Sequence, residues 1–411
     1  MCRVVFALTV ASVLAACSSP DDAAVDPFDT TALSRIPLTE QATIESESLS
    51  QVDGAIVLST GEVAIANNHS EILVFGPQGD LRRTIGRSGG GPGEFRFLMA
   101  IAGLDGDRIF TWDPAQARVS VFRPNGALEY TTTPQGVDLA RIRATFVGAF
   151  GDGSFVLEDR SGSGAGLDVP DGLRRDTISY LLFARSGALI RTVGTFVRHE
   201  RYYSTSSGYK HYLLDASVHA VLTKGLLLVG ESDAITFARF DSSGAVRPTL
   251  TLNRNPRPVT ESDIEAGWRE WADQRALAKE QLMAQAAVML DEAAVLDLRR
   301  RIRAEVDDEL AEAKTTIEPA TYLPAYESIA VGSDGALWLE DYLSPTMEVS
   351  RWVLMDAEFS PAGWIELQPN ETFLTAGPGV VVIVRKDALD VESVVFLTGE
   401  WSTAVGAFVA R

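Results

Sequence analysis

The chain predicts an all-β fold, a six-bladed β-propeller interrupted by one helical insertion between the fourth and fifth blades. Three observations predict it. The first is a repeated strand-turn-strand unit. Ile72–Leu81, Val119–Leu128 and Tyr180–Leu189 share it, and Phe237–Val246 is a weaker copy. In each, an aromatic-ended strand meets a glycine-bearing turn and a second strand leaves. The second is spacing. Phe75, Phe122, Phe183 and Phe240 hold equivalent places, about 50–60 residues apart, which suits four-stranded blades with long loops. The third is an upstream strand that opens on glycine and tends to close on an acidic residue. It occurs as Gly61–Ala66, Gly106–Asp113, Gly153–Asp159 and, most cleanly, Gly335–Asp341.

Length alone leaves the architecture open. The chain has 411 residues, enough for two or three ordinary domains or one large all-β domain. Serial repeats with matched offsets favour the single large domain, over residues 40–411. Blades are expected at 56–86, 100–132, 144–194, 216–252, 325–368 and 372–403. Thr43–Leu49 is expected to join the last sheet and close the ring, which removes exposed edges. A seventh blade hidden in the long third unit is the alternative left open.

The segment Ile85–Phe95 contains Gly86, Gly89, Gly90, Gly91, Pro92 and Gly93. It lacks the Lys-Ser/Thr of a phosphate-binding loop. It reads as a turn followed by a packing anchor at Phe95. Together with the repeats it resembles the inter-blade connection of the NHL-like propeller family. That resemblance implies a six-bladed ring over roughly residues 40–411, the insertion apart.

Residues 260–316 change character. Thr260–Asp263 can cap a helix, with Asp263 in its first turn. Ile264, Trp268, Trp271, Ala278, Leu282, Gln285 and Met289 follow one helical face, and Ile302, Val306, Leu310 and Ala313 a second. Pro319 stops continuation. Two helices, or one bent helix, are expected, with a break near 291–298. The insertion serves either as a buttress on a blade or as a lid or docking surface.

The first residues read as a targeting segment. Arg3 precedes an apolar run over Val4–Ala16. The run is too short for the roughly 20 apolar residues of a membrane span, and residues 1–16 are set aside as a signal peptide. The run ends Leu14-Ala15-Ala16-Cys17, which resembles a bacterial lipoprotein signal. The resemblance implies lipidation at Cys17. Residues 17–39, rich in Ser, Asp, Pro, Ala and Thr, then form a tether. Ser18 stands where Asp would favour inner-membrane retention, so the resemblance implies a cell-envelope location, with the outer membrane favoured in a Gram-negative host. Cys2 falls within the removed segment, so no disulfide is expected.

Composition narrows the partners. The formal net charge is −20, which disfavours nucleic acid and, beyond the anchor, anionic lipid. Arg299, Arg300, Arg301 and Arg303 lie among many acids and read as solvated helix surface.

Chemistry is sparse in the sequence. His69, His199, His211 and His219 form no zinc motif. No Gly-x-Ser-x-Gly elbow is present. Asp113, Asp159 and Asp341 recur near equivalent strand ends and read as turn or inter-strand hydrogen-bond groups rather than a catalytic pair. No catalytic, metal or cofactor-binding residue is assigned, and no cofactor is called for. Candidate recognition residues are Tyr202, Tyr203, Tyr209, His211 and Tyr212, in an expected inter-blade loop, with Trp268 and Trp271 of the insertion. Flat amphipathic rings of this kind give contact area with hydrogen-bonding capacity. The favoured expectation is a non-catalytic binding or scaffold module for a protein, peptide or carbohydrate. The alternative is a metal-dependent lyase or hydrolase on the same scaffold.

Overall fold

The computed structural model describes residues 26–401, apart from 32, 46–48, 143, 162–171, 205–207, 212, 213, 215, 288–291, 346, 348, 357 and 390. Strand β1 (Thr39–Ile44) comes first and is used last. Blade one is β2 (Val52–Val57), β3 (Val63–Asn67), β4 (Glu71–Phe75) and β5 (Leu81–Ile85). Blade two is β6 (Ala100–Leu104), β7 (Arg108–Asp113), β8 (Arg118–Phe122) and β9 (Leu128–Thr132). A short helix α1 (Leu139–Ile142) leads into blade three. That blade is β10 (Thr145–Ala149), β11 (Phe155–Asp159), β12 (Gly172–Phe183), β13 (Leu189–Ser204) and β14 (Gly208–His211). Blade four is β15 (Val218–Thr223), β16 (Leu226–Glu231), β17 (Ile235–Asp241) and β18 (Val246–Leu252). Helices α2 (Glu261–Ala287) and α3 (Glu292–Thr316) follow. Blade five is β19 (Ser328–Val331), β20 (Leu337–Glu340), β21 (Ser350–Met355) and β22 (Pro361–Leu367). Blade six is β23 (Glu371–Gly377), β24 (Val380–Lys386) and β25 (Glu392–Thr398), completed by β1.

The six sheets are antiparallel and run in chain order from inner to outer strand. Their first strands neighbour one another in sequence, and β2 meets β23 to close the ring. β1 pairs with β25, Thr39 opposite Thr398 and Ile44 opposite Val394. The closing strand therefore starts four residues earlier than the sequence suggested. The segment expected to be tether up to residue 39 is docked in part, because Phe28 and Ile36 are buried.

Six buried clusters fill the six gaps between neighbouring blades. Blades pack face to face, so their middle strands are buried on both sides. All of β3 is buried, while the outer β5 and β18 are largely exposed. The repeat aromatics have one job. Phe75, Phe122, Phe183 and Phe240 each fill the gap to the preceding blade. In blade five Met355 takes that place, which is why the motif fades there.

The third unit hides no further blade among the described residues. It lengthens β12 and β13, which pair from Phe183–Leu189 out to Gly172–Tyr203, and adds β14. His199–Tyr212 was expected as a loop between blades. Its described part is instead largely β-hairpin, because its tyrosines suit a pleated ladder.

Phe95 is 1 % exposed in the gap between blades one and two, the expected anchor of the glycine-rich connection. Gly86 makes room for it. Its φ is +78°, and a Cβ there would stand 2.3 Å from the Phe95 ring. Gly86→Ala is expected to cost about 2–4 kcal/mol, from positive φ and overpacking together. Urea denaturation checks this, and a loss below about 1 kcal/mol would contradict it.

The insertion is an antiparallel helical hairpin. Thr260 caps α2 reciprocally: the Asp263 N–H reaches Thr260 Oγ1 at 3.3 Å, and the Thr260 N–H reaches Asp263 Oδ2 at 2.9 Å. This is a capping box with Asp in the acceptor place. Among the described residues no helix is long and apolar enough to cross a membrane.

Candidate functional site

Strand direction sorts the loops into two ends. The connections from one blade to the next, and the turns between second and third strands, lie together at one end. The helical hairpin leaves from that same end, which we call the connection face.

The best-formed polar group there joins β2 to the β3–β4 turn. Asn68 and His69 have φ of 50° and 53°, and the Ser70 N–H closes the turn on Asn67 O at 3.1 Å. Asn67 pairs with Glu71, so residues 68–70 form a three-residue connection whose first two positions are left-handed, a conformation that Asn and Gly favour. Histidine occupies the glycine place, although a non-glycine residue there costs roughly 1–2 kcal/mol. The backbone N–H of His69 donates to Asp53 Oδ2 at 2.7 Å. Its ring Nδ1 lies 3.0 Å from Asp53 Oδ1 and 3.3 Å from Leu98 O. Both partners only accept, so Nδ1 carries the proton and Nε2 keeps its lone pair. Gln51 Nε2 stands 3.1 Å from that nitrogen and 3.1 Å from Asp53 Oδ1, which orients the Gln51 amide as donor to both. The imidazole stacks on Phe97, centroids 4.1 Å apart.

Asp53 is nearly enclosed, with a side chain 5 % exposed, while 29 % of the His69 side chain reaches solvent. Burial raises the Asp53 carboxyl above its ordinary value, against the hydrogen bonds from His69 and Gln51, and the nearby Glu392 charge adds to the rise. A buried carboxylate on Nδ1 orients the ring so that Nε2 faces outward, the geometry of a carboxylate-positioned imidazole. Gln51 is an exposed side chain and can yield that nitrogen to a ligand. Phe97, stacked on the ring, is 38 % exposed, and Met99 two residues on is 43 % exposed.

A second polar group underlies the hairpin root. Asp341, whose side chain is 4 % exposed, receives Arg254 at 2.7 Å, with Arg257 and Arg351 each at 3.8 Å. Arg254 also donates to Ala325 O and lies 4.2 Å over the Phe28 ring. Arg257 donates to Pro324 O at 3.0 Å and to Tyr342 O. These guanidiniums are committed to holding connections in place. Beside them Glu327 is exposed, and the Glu340 and Glu270 charges act on it to raise its carboxyl. Burial raises Glu340 and Tyr342. A cleft of about 470 Å³ opens nearby between blade four and the hairpin root, with Asp233, Asn253, Arg254, Arg257 and Tyr322 in its wall.

The candidates from sequence are placed as follows. Tyr202 and Tyr203 lie on β13, and Tyr209 and His211 on β14, with Tyr203 opposite Tyr209. Tyr212 and Cys17 fall outside the described residues. Trp268 is 6 % exposed and packs with Leu214, Ala313, Ile317 and Leu323. Trp271 is part-buried and meets it edge-on, 6.2 Å away. Both indoles are engaged in the hairpin's own root. Leu214, just beyond β14, joins that cluster, so the tyrosine-bearing hairpin and the insertion meet at one end of the ring. Asp113 serves its turn, accepting the Gln116 N–H at 3.0 Å, and also holds the blade connection, accepting the N–H groups of Arg96 and Phe97 at 2.7 and 3.2 Å. Among the described residues no three His, Cys, Asp or Glu side chains are grouped to hold a metal ion. Sequence reasoning named His69 but gave it no partner. The signal was Asn68-His69, a tight-turn pair with histidine where glycine belongs.

No known protein-family profile matches the chain, and no curated protein matches it. Solved structures do. A Bacteroides fragilis protein described as exported is 11 % identical, covering 88 % of this chain and 95 % of its own, with a TM-score of 0.42. A DUF4221 family member from Bacteroides vulgatus is 10 % identical over 90 % and 96 %, TM-score 0.42. Virginiamycin B lyase from Staphylococcus aureus is 9 % identical over 89 % and 99 %, TM-score 0.39. Such distant likenesses speak to fold only. They do overturn one expectation. The chain was read as more likely not an enzyme, yet lyases stand among its matches beside a protein described only as exported. The propeller gives no ground for preferring the non-catalytic reading.

Proposed function

We propose that this protein is a lipid-anchored envelope propeller that performs acid–base chemistry of the lyase or hydrolase type at its connection face. The observation that supports it is the Asp53–His69 pair. A histidine held in a costly turn conformation, with one tautomer fixed by a buried carboxylate and the other nitrogen aimed at an exposed amide, is arranged as a general base. In this reading His69 Nε2 takes a proton from the ligand or from a water beside it. Asp53 orients the ring and balances its charge. Phe97 and Met99 carry an apolar part of a peptide, carbohydrate or similar ligand. No step of this reading passes through a metal. Lipidation at Cys17 and an outer-membrane location belong to the same proposal and rest on the lipoprotein-like signal.

The test uses a substitution that the turn itself favours. His69→Gly keeps the backbone N–H to Asp53 and relieves the left-handed strain, so stability is expected to hold or rise by up to about 1 kcal/mol. Turnover is expected to fall by about 10²–10⁴-fold, and Asp53→Asn is expected to lower it with little change in KM. The assay is a panel of chromogenic esters, peptides and glycosides together with β-elimination substrates. Turnover that survives both substitutions, or none by the unmodified protein in any class, would sink the reading. Cys17→Ser is expected to shift the protein from the membrane to the soluble fraction.

A further inference from the structure

We infer that the distal half of the α2–α3 hairpin is a membrane-seating surface, and that its partner is the lipid bilayer holding the anchor. The inference rests on the proposed lipidation of Cys17 and goes beyond it, because an anchor alone leaves the propeller's orientation free.

Three observations carry it. The first is where the docked chain starts. Phe28 is 6 % exposed, wedged with Ala325 and Tyr326 between blades four and five and beneath Arg254. That is the root of the hairpin. From Cys17 to Asp26 the chain spans at most about 30 Å even fully extended. A helix as long as α2 measures about 40 Å. The anchor is therefore confined to a shorter radius about the hairpin root than the hairpin's own length.

The second is charge. The protein is strongly acidic, yet the hairpin is polarised along its axis. Residues 277–303 hold five basic and four acidic side chains. The root portions, 260–276 and 304–316, hold three basic and ten acidic ones. Arg299, Arg300, Arg301 and Arg303 have side chains 53–79 % exposed. Their carboxylate partners are surface groups too, such as Asp297 at 51 % and Asp273 at 59 %. Surface pairs of this kind are weak, so the guanidiniums can turn to phosphate oxygens at little cost.

The third is apolar exposure in the same half. Leu277, Met283 and Leu296 are 57 %, 48 % and 52 % exposed. Exposed apolar side chains among arginines suit the headgroup boundary. The sequence reading treated these arginines as ordinary solvated surface. It could not see that most of the hairpin's acids lie in the opposite half.

The experiment uses the full lipidated chain in vesicles of phosphatidylethanolamine and phosphatidylglycerol. With Cys17 acylated, one added cysteine gives one label. Leu296→Cys marks the hairpin, and Gln78→Cys, in the exposed β4–β5 turn, marks the opposite end. The Leu296 label is expected to be at least about twofold better shielded from a water-soluble quencher than the Gln78 label, and to be quenched by spin-labelled lipid. Replacing the four arginines by glutamate, all on exposed surface, is expected to abolish that difference while flotation and circular dichroism stay unchanged. Equal accessibility of the two labels on floating vesicles would overturn the seating and leave the anchor standing. A chain that is not acylated and does not float would overturn both.

Discussion

Asp341→Ala will destabilise the protein by about 3–5 kcal/mol, the cost of leaving a buried charge without its partner. Asp341 lies within reach of three guanidiniums, those of Arg254, Arg257 and Arg351. Arg254 depends on it most, with a side chain 7 % exposed and a 2.7 Å bond to Asp341. Its other contacts are Ala325 O and the face of Phe28, neither of which carries a negative charge. Arg351 has Glu366 at 3.9 Å as a second carboxylate and suffers less. Truncation therefore strands Arg254 in a gap between blades. Combining it with Arg254→Met removes the stranded charge and should recover most of the loss. Chemical denaturation of the single and double variants measures both numbers. A single-variant loss under about 1 kcal/mol would mean that water reaches Arg254 and that the pair is not buried in effect.

The second large effect is on acid stability. His219 stands on the inner strand β15, its ring 5.2 Å from that of Tyr326. Its Nε2 is buried with no hydrogen-bond partner among the described residues, and burial lowers its pKa to about 4. The folded state therefore holds the ring neutral, while the unfolded chain takes up a proton near 6.5. Its contribution is fully present above about pH 6.5 and is lost as pH falls from there toward 4, by about 2–3 kcal/mol. His219→Phe is expected to flatten the acid limb. A His219→Phe profile parallel to wild type between pH 4 and 6.5 would show that the ring titrates normally in the fold.

The ring was legible because propeller blades repeat the same local chemistry. A strand that must be apolar on both faces, a glycine turn and an aromatic filling the preceding gap recur in order, and Phe75, Phe122, Phe183 and Phe240 report them directly. The fifth blade was harder to see because Met355 fills its gap as well as a phenylalanine does. The insertion was legible for a related reason: a capping box and a change of period are local signals. The candidate base was not. Asp53 sits on β2 and His69 in the β3–β4 turn, and only the β2–β3–β4 register brings them to 3.0 Å.

Sequence by itself determined the architecture and the place of the helical hairpin, since each is written in contiguous residues with a fixed period or order. Tertiary structure alone decided what meets what. It took Trp268 and Trp271 into the hairpin root, turned an expected tyrosine loop into a strand pair, and docked Phe28 beside Arg254. It also sorted the hairpin's charges into an acidic root and a distal half that is not acidic. The reason is physical: burial, carboxylate–imidazole geometry and charge distribution in space depend on distances across strands and blades, which no local pattern encodes.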